Sequence, residues 1–187
     1  MKANTVKGQD ITILSLGTVQ LGMDYGIHND SGKPSLETAF RILDEAMAAG
    51  INTLDTAAGY GNSEEVIGAW LKTVPEENRP FIVTKAARLD HSSLDALRAD
   101  LRSRVESSKK RLELNQLPLL MLHNCEDYLC DIENVRTVFE ELKASGDIRY
   151  SGISAYSNHD YGILAESGFD AVQIPINIFD WGQIENG

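Results

Sequence analysis

The stretch GTVQLGMDYGIHNDSGKPS, residues 17–35, joins the first strand-like run of the chain to its first amphipathic helix. It is long, and it is not the compact G-x-G-x-x-G that lets a βα turn cradle a pyrophosphate. The turn matters because the rest of the chain alternates short apolar runs with helical patterns. Such alternation implies a parallel sheet with right-handed crossovers. An open doubly wound sheet and a (β/α)8 barrel both satisfy it. The long first turn, together with polar residues gathered at the carboxyl ends of several different strands, favours the barrel.

Working outward, strands are expected at 12–17 (TILSLG), 51–55 (INTLD), 81–85 (FIVTK), 118–123 (PLLMLH), 149–154 (RYSGIS) and 170–174 (DAVQI). Helices are expected over 35–50, 62–74, 93–114, 131–146 and 160–168. Ser35 or Pro34 opens the first helix and Gly50 closes it, and KASGDIRYSGIS at 143–154 repeats the order helix, glycine, strand. Asn62 or Ser63 is placed to cap the second helix, with Glu64 and Glu65 in its first turn. Six βα units are counted, whereas a full barrel of this type has eight and about 250 residues. The 187 residues therefore read as one incomplete barrel domain, 1–187. Two open sheet edges predict either a missing segment or self-association.

Composition narrows the function classes. A net charge of -11 disfavours a nucleic-acid partner, which calls for a basic patch. The first residues, MKANTVKGQDITI, contain no apolar core of the length a secretion signal needs, and no stretch reaches the roughly 18 apolar residues of a membrane span. Cytoplasm is the default location. Cys125 and Cys130 form a lone C-x4-C, too little for a disulfide framework or a metal site, and read as ordinary reduced thiols.

The residues that carry chemistry sit at strand ends. Asp55, Lys85 and His123 are expected to end the second, third and fourth strands, and Tyr60 follows in the Gly-rich loop of NTLDTAAGYGNSEEVIG, 52–68. In a parallel barrel these ends ring one mouth. The set suits carbonyl reduction: Tyr60 donates a proton to the carbonyl oxygen as a hydride reaches the carbon. A free phenol has a pKa near 10. Lys85 is expected to favour the phenolate, Asp55 to hold Lys85, and His123 to orient the substrate oxygen.

These motifs resemble the aldo-keto reductase family. The resemblance runs in family order through LSLGTVQLG (14–22), INTLDTAAGYGNSEEVIG (51–68), VTK (83–85), LLMLHNCE (119–126), GDIRYSGISAYS (146–157) and AVQIPINIFD (171–180). It implies a catalytic tetrad of Asp55, Tyr60, Lys85 and His123, and NADPH, or less often NADH, as cofactor. It also implies cofactor contacts from Ser154, Gln173, Thr18 and Asp55. Ala155 stands where the family usually has an Asn beside that Ser, and Asn177 reads as structural. The family's strand-eight region, which supplies the nicotinamide platform and most phosphate contacts, has no counterpart in these residues.

Each residue alone has a plainer explanation: a turn cap for Asp55, a packed loop aromatic for Tyr60, a solvated strand end for Lys85, a core histidine for His123. Four together, inside matching motifs, favour the site. His28 is a candidate for lining a substrate pocket and Trp181 for covering the mouth, while His91 and His159 read as surface residues and KKR, 109–111, as a solvated helix end. The expected function is NAD(P)H-dependent reduction of aldehydes or ketones to alcohols, on a small-molecule carbonyl substrate. The alternative is a catalytically silent or truncated barrel of the same kind serving as a binding or regulatory protein.

Overall fold

The computed structural model describes residues 1–27, 29–156 and 161–177. His28, His159 and Trp181 lie outside the described residues. An antiparallel hairpin comes first, β1 (Ala3–Val6) and β2 (Gln9–Thr12), turning at Lys7 and Gly8, both with positive φ. That pair of dihedral signs is what a two-residue primed turn requires. Six parallel strands follow: β3 (Leu16–Gly17), β4 (Thr53–Asp55), β5 (Phe81–Ala86), β6 (Leu117–Leu122), β7 (Ile148–Ser154) and β8 (Ala171–Gln173). They pair in sequence order and curl into part of a (β/α)8 barrel, as expected from the alternation.

Helices α1 (Val19–Gly22), α2 (Leu36–Ala48), α3 (Ser63–Leu71), α4 (Leu94–Leu112), α5 (Glu126–Leu129), α6 (Ile132–Ala144) and α7 (Tyr161–Ala165) fill the crossovers. The side chain of Ser35 accepts from the Thr38 amide and so caps α2. At the other end the Gly50 amide bonds the Met47 carbonyl and the Ile51 amide bonds that of Ala46. Helix α6 ends identically, with Gly146 to Lys143 and Asp147 to Leu142. These paired bonds satisfy the last carbonyls of each helix and aim the chain back into the sheet.

Period-two alternation divides the sheet residues between two layers. Leu54, Ile82, Leu120, Leu122 and Ile153 pack against the helices with Leu43, Ile67, Leu101, Val105 and Phe139. Phe81, Leu119 and Met121 form a separate cluster on the other face with Val83, Tyr150 and Ala171, and Ile11 of the hairpin joins it. The hairpin thus closes the amino-terminal end of the strands. Its Lys7 carbonyl accepts from the Tyr150 hydroxyl at 3.0 Å, and its Lys7 ammonium pairs with Asp170.

Several expectations change. The run TILSLG is not one strand: Thr12 ends β2, and its amide and hydroxyl bond the Asn52 side chain, which leaves only Leu16 and Gly17 to pair with β4. Asn62 stands at the start of α3 without a side-chain capping bond. KKR is not a solvated end, since Lys109 pairs with Glu106 and Asp147 and Arg111 reaches the buried carboxylate of Glu64 at 2.6 Å. His91 is tucked beside Asp127, with Nε2 at 3.4 Å from Oδ1, rather than lying free on the surface. Among the described residues no helix is long and apolar enough to cross a membrane, and no cluster of three or more His, Cys, Asp or Glu could hold a metal.

Candidate active site

The carboxyl ends of β4 to β8 enclose an open cleft of about 240 Å³ lined by Asp55, Tyr60, Lys85, His123, Ser154 and Gln173, with Ala155, Tyr156, Ile174 and Pro175. Asp55 ends β4, and Lys85 sits one residue before the end of β5 rather than at it. His123 falls just past β6, but its amide still bonds the Ala86 carbonyl at 2.7 Å, so the ladder carries it to the mouth.

Tyr60 is fixed by its backbone. Its amide bonds the Ala57 carbonyl at 3.0 Å, and its carbonyl accepts from Ser63 at 3.0 Å. The loop is pressed onto α1: a Cβ on Gly22 would lie 1.8 Å from the Tyr60 carbonyl oxygen, and one on Gly61, at φ +57°, would lie 2.3 Å from that of Gly22. Only residues without a side chain permit this approach. The glycines of the loop therefore set where the phenol stands.

Lys85 is buried, with its side chain 2% exposed, and its ammonium is engaged by the Asp55 carboxylate and by the Thr56 carbonyl at 3.1 Å. Such a cation is tolerated out of water because it is paired and hydrogen-bonded. Its Nζ lies 5.4 Å from the centre of the Tyr60 ring, and the ring meets His123 edge to face at 5.6 Å. Burial, followed by the charge of Lys85, pushes the His123 imidazole below its ordinary value, so it is neutral at pH 7. For Tyr60 the balance differs from the sequence expectation. Burial, and next the Asp55 carboxylate, push the phenol above its usual value, so these influences hold the proton on rather than favour the phenolate.

The residues named for cofactor contact separate into two groups. Ser154, at the end of β7, and Gln173, at the end of β8, line the cleft beside Asp55, Tyr60, Lys85 and His123. The Ser154 carbonyl accepts from Cys125 Sγ at 3.4 Å, a thiol that burial pushes up to about 11 and so keeps protonated. Thr18 is fully buried and does not line the cleft. Its amide and hydroxyl both donate to the Asp55 carbonyl, at 3.0 and 2.9 Å, and Ser63 Oγ lies 2.9 Å from it. Thr18 holds the backbone of Asp55. Tyr156, two residues after Ser154, was not singled out in the sequence, and Cys125, two after His123, was read there only as an ordinary reduced thiol.

A model of the aldo/keto reductase family matches residues 13–186. The chain belongs to that family. The aldo-keto reductase YhdN of Bacillus subtilis is 32% identical over 180 residues, covering 92% of this chain and 52% of the relative. Among solved structures, an aldo-keto reductase of Pseudomonas aeruginosa superposes with a TM-score of 0.81 at 29% identity, over 97% of this chain and 70% of that one. The holo form of aldo-keto reductase AKR11C1 from Bacillus halodurans gives 0.73 at 27%, over 94% and 58%. The chain spans about half the length of the curated relatives it matches. Aldo-keto reductases are oxidoreductases that use NADPH or NADH. The donor set of the cleft fits the carboxamide end of such a nucleotide, since the Gln173 amide and Ser154 face the same space as Tyr60 and His123.

Proposed function

We propose that this chain reduces aldehydes or ketones to alcohols with NADPH or NADH, and that Tyr60, Asp55, Lys85 and His123 act as its catalytic residues. The observation that carries the reading is that the ion pair of buried Lys85 with Asp55 shares one cleft with a phenol, 5.4 Å from the Lys85 ammonium, and a neutral imidazole. The bound nucleotide supplies a hydride. Tyr60 gives its proton to the carbonyl oxygen as the carbon is reduced, a transfer worth about 10²–10⁴ in rate when well positioned. His123 hydrogen-bonds that oxygen and orients it, and being neutral it does so without placing a second cation beside Lys85. Lys85, anchored by Asp55, stabilises the charge that develops on Tyr60 as its proton leaves. Ser154 and Gln173 receive the carboxamide.

The test is a fluorescence titration with NADPH and NADH, alongside turnover of a panel of aldehydes by the parent and by Tyr60→Phe. Binding in both proteins with turnover lost in Tyr60→Phe is the expected result. Undiminished turnover in Tyr60→Phe, or no nucleotide binding, overturns the reading.

A further inference from the structure

The two oxygens of Asp55 have different partners. One takes the Lys85 ammonium, and Oδ2 accepts from Gln173 Nε2 at 2.8 Å. This second bond joins β4 to β8 across the cleft, with three strands between them in the sheet. A side-chain amide is chemically two-ended: nitrogen donates two hydrogens and oxygen accepts. A carboxylate paired with a lysine offers acceptors only, so an amide turned the other way would set oxygen against oxygen. The contact therefore admits one orientation of the Gln173 amide.

We infer that Asp55 fixes which end of the Gln173 amide faces the ligand, and that the pair thereby selects a ligand group that donates a hydrogen bond. With Nε2 held by Asp55, Oε1 is left as the acceptor directed away from that carboxylate. A carboxamide NH2 meets it well. A carboxylate in the same place meets an acceptor, and beyond it the charge of Asp55. The inference rests on the nucleotide reading above and adds a rule to it: the tetrad carboxylate, through Gln173, discriminates nicotinamide from nicotinic-acid dinucleotides. Gln173 is in this sense a positioning partner of Asp55 as well as a ligand contact.

Two measurements test it. In nucleotide-free protein labelled with ¹⁵N, the Gln173 side-chain NH2 signals are assigned by their loss in Gln173→Met. They are expected to show distinct, shifted protons that move to solvent-like positions in Asp55→Asn. Signals indifferent to Asp55→Asn overturn the pairing. The second measurement is the affinity of the parent for NADPH and for its nicotinic-acid analogue, with a preference of about tenfold or more expected for the carboxamide. Gln173→Met is expected to reduce that preference to near unity. Equal binding of the two nucleotides by the parent overturns the selection rule while leaving the nucleotide reading intact. Binding of neither overturns both, and the NMR result still decides the pairing.

Discussion

Lys85 Nζ lies 5.4 Å from the centre of the Tyr60 ring, and its ion-pair partner, Asp55, also raises the affinity of that phenol for its proton. The pair and the phenol are one electrostatic unit. Tyr60 is thus kept as an acid at neutral pH, the form that suits reduction.

A directional pH dependence is expected from this. The phenol is pushed above its ordinary value of 10.0, so the acid form persists through neutral and mildly alkaline solution. Carbonyl reduction should stay flat from pH 7 to 9, while alcohol oxidation, which requires the phenolate as base, should rise with pH across the same window. Steady-state rates in both directions would check it, and a reductive rate that falls by half before pH 8 contradicts it.

Lys85→Met removes the cation and leaves Asp55 with Gln173 as its main partner. Loss of one member of such a pair is expected to cost about 2–4 kcal/mol of stability, read from urea unfolding. Lys85→Met combined with Asp55→Asn should recover part of that loss, because no unpaired charge then remains. Turnover should be lost in both variants.

His123 titrates below its ordinary 6.5, since burial and Lys85 disfavour the imidazolium. A group with a depressed folded pKa contributes stability above its unfolded value, and this contribution is lost as pH falls through the folded value. Melting temperature should therefore drop more steeply below pH 6.5 in the parent than in His123→Gln. Parallel curves for the two proteins contradict the assignment.

Gly22→Ala places a methyl group 1.8 Å from the Tyr60 carbonyl oxygen unless the loop shifts. Neither backbone is a flexible side-chain end, so we expect a loss of about 2–4 kcal/mol. We also expect turnover to fall further than nucleotide affinity does, because the displaced group is the proton donor. Gly59→Ala, where a Cβ meets nothing within 4 Å, is the matched control.

Among the described residues β3 and β8 each pair with a single neighbour, and Val172 and Ile176 are exposed on or beside β8. Unpaired parallel edges with apolar side chains favour pairing with another chain. We propose that the 187-residue protein self-associates, and light scattering should return a mass above that of the 20.6 kDa monomer. A monodisperse monomer contradicts this.

Much of the fold was legible because its longest strands, such as Phe81–Ala86 and Ile148–Ser154, are runs of six or seven residues set between stretches of helical periodicity. The hairpin was not. Its strands have four residues each, and Ile11 faces a cluster assembled from β5, β6, β7 and β8, which no local pattern reveals. The meeting of Asp55, Tyr60, Lys85 and His123 in one cleft was legible from spacing and strand ends, but the behaviour of Tyr60 was not, since burial is a property of the assembled mouth. Thr18 shows the limit from the other side. Its position in a matching motif suggested a cofactor contact, whereas its hydroxyl is engaged by the Asp55 carbonyl and Ser63. Lys109 and Arg111 found partners 38 and 47 residues away, beyond any helical spacing rule.

The hairpin also sets an order of events for a newly made chain. Its own turn and ladder are local and form within microseconds. Its farthest anchors are Tyr150 and Asp170, the latter 163 residues beyond Lys7. Thr12 and Ile11 can meet Asn52 and Phe81 early, whereas the pairing of Lys7 is complete only once Asp170 has been made. That last pairing reports that the last described strand has taken its place.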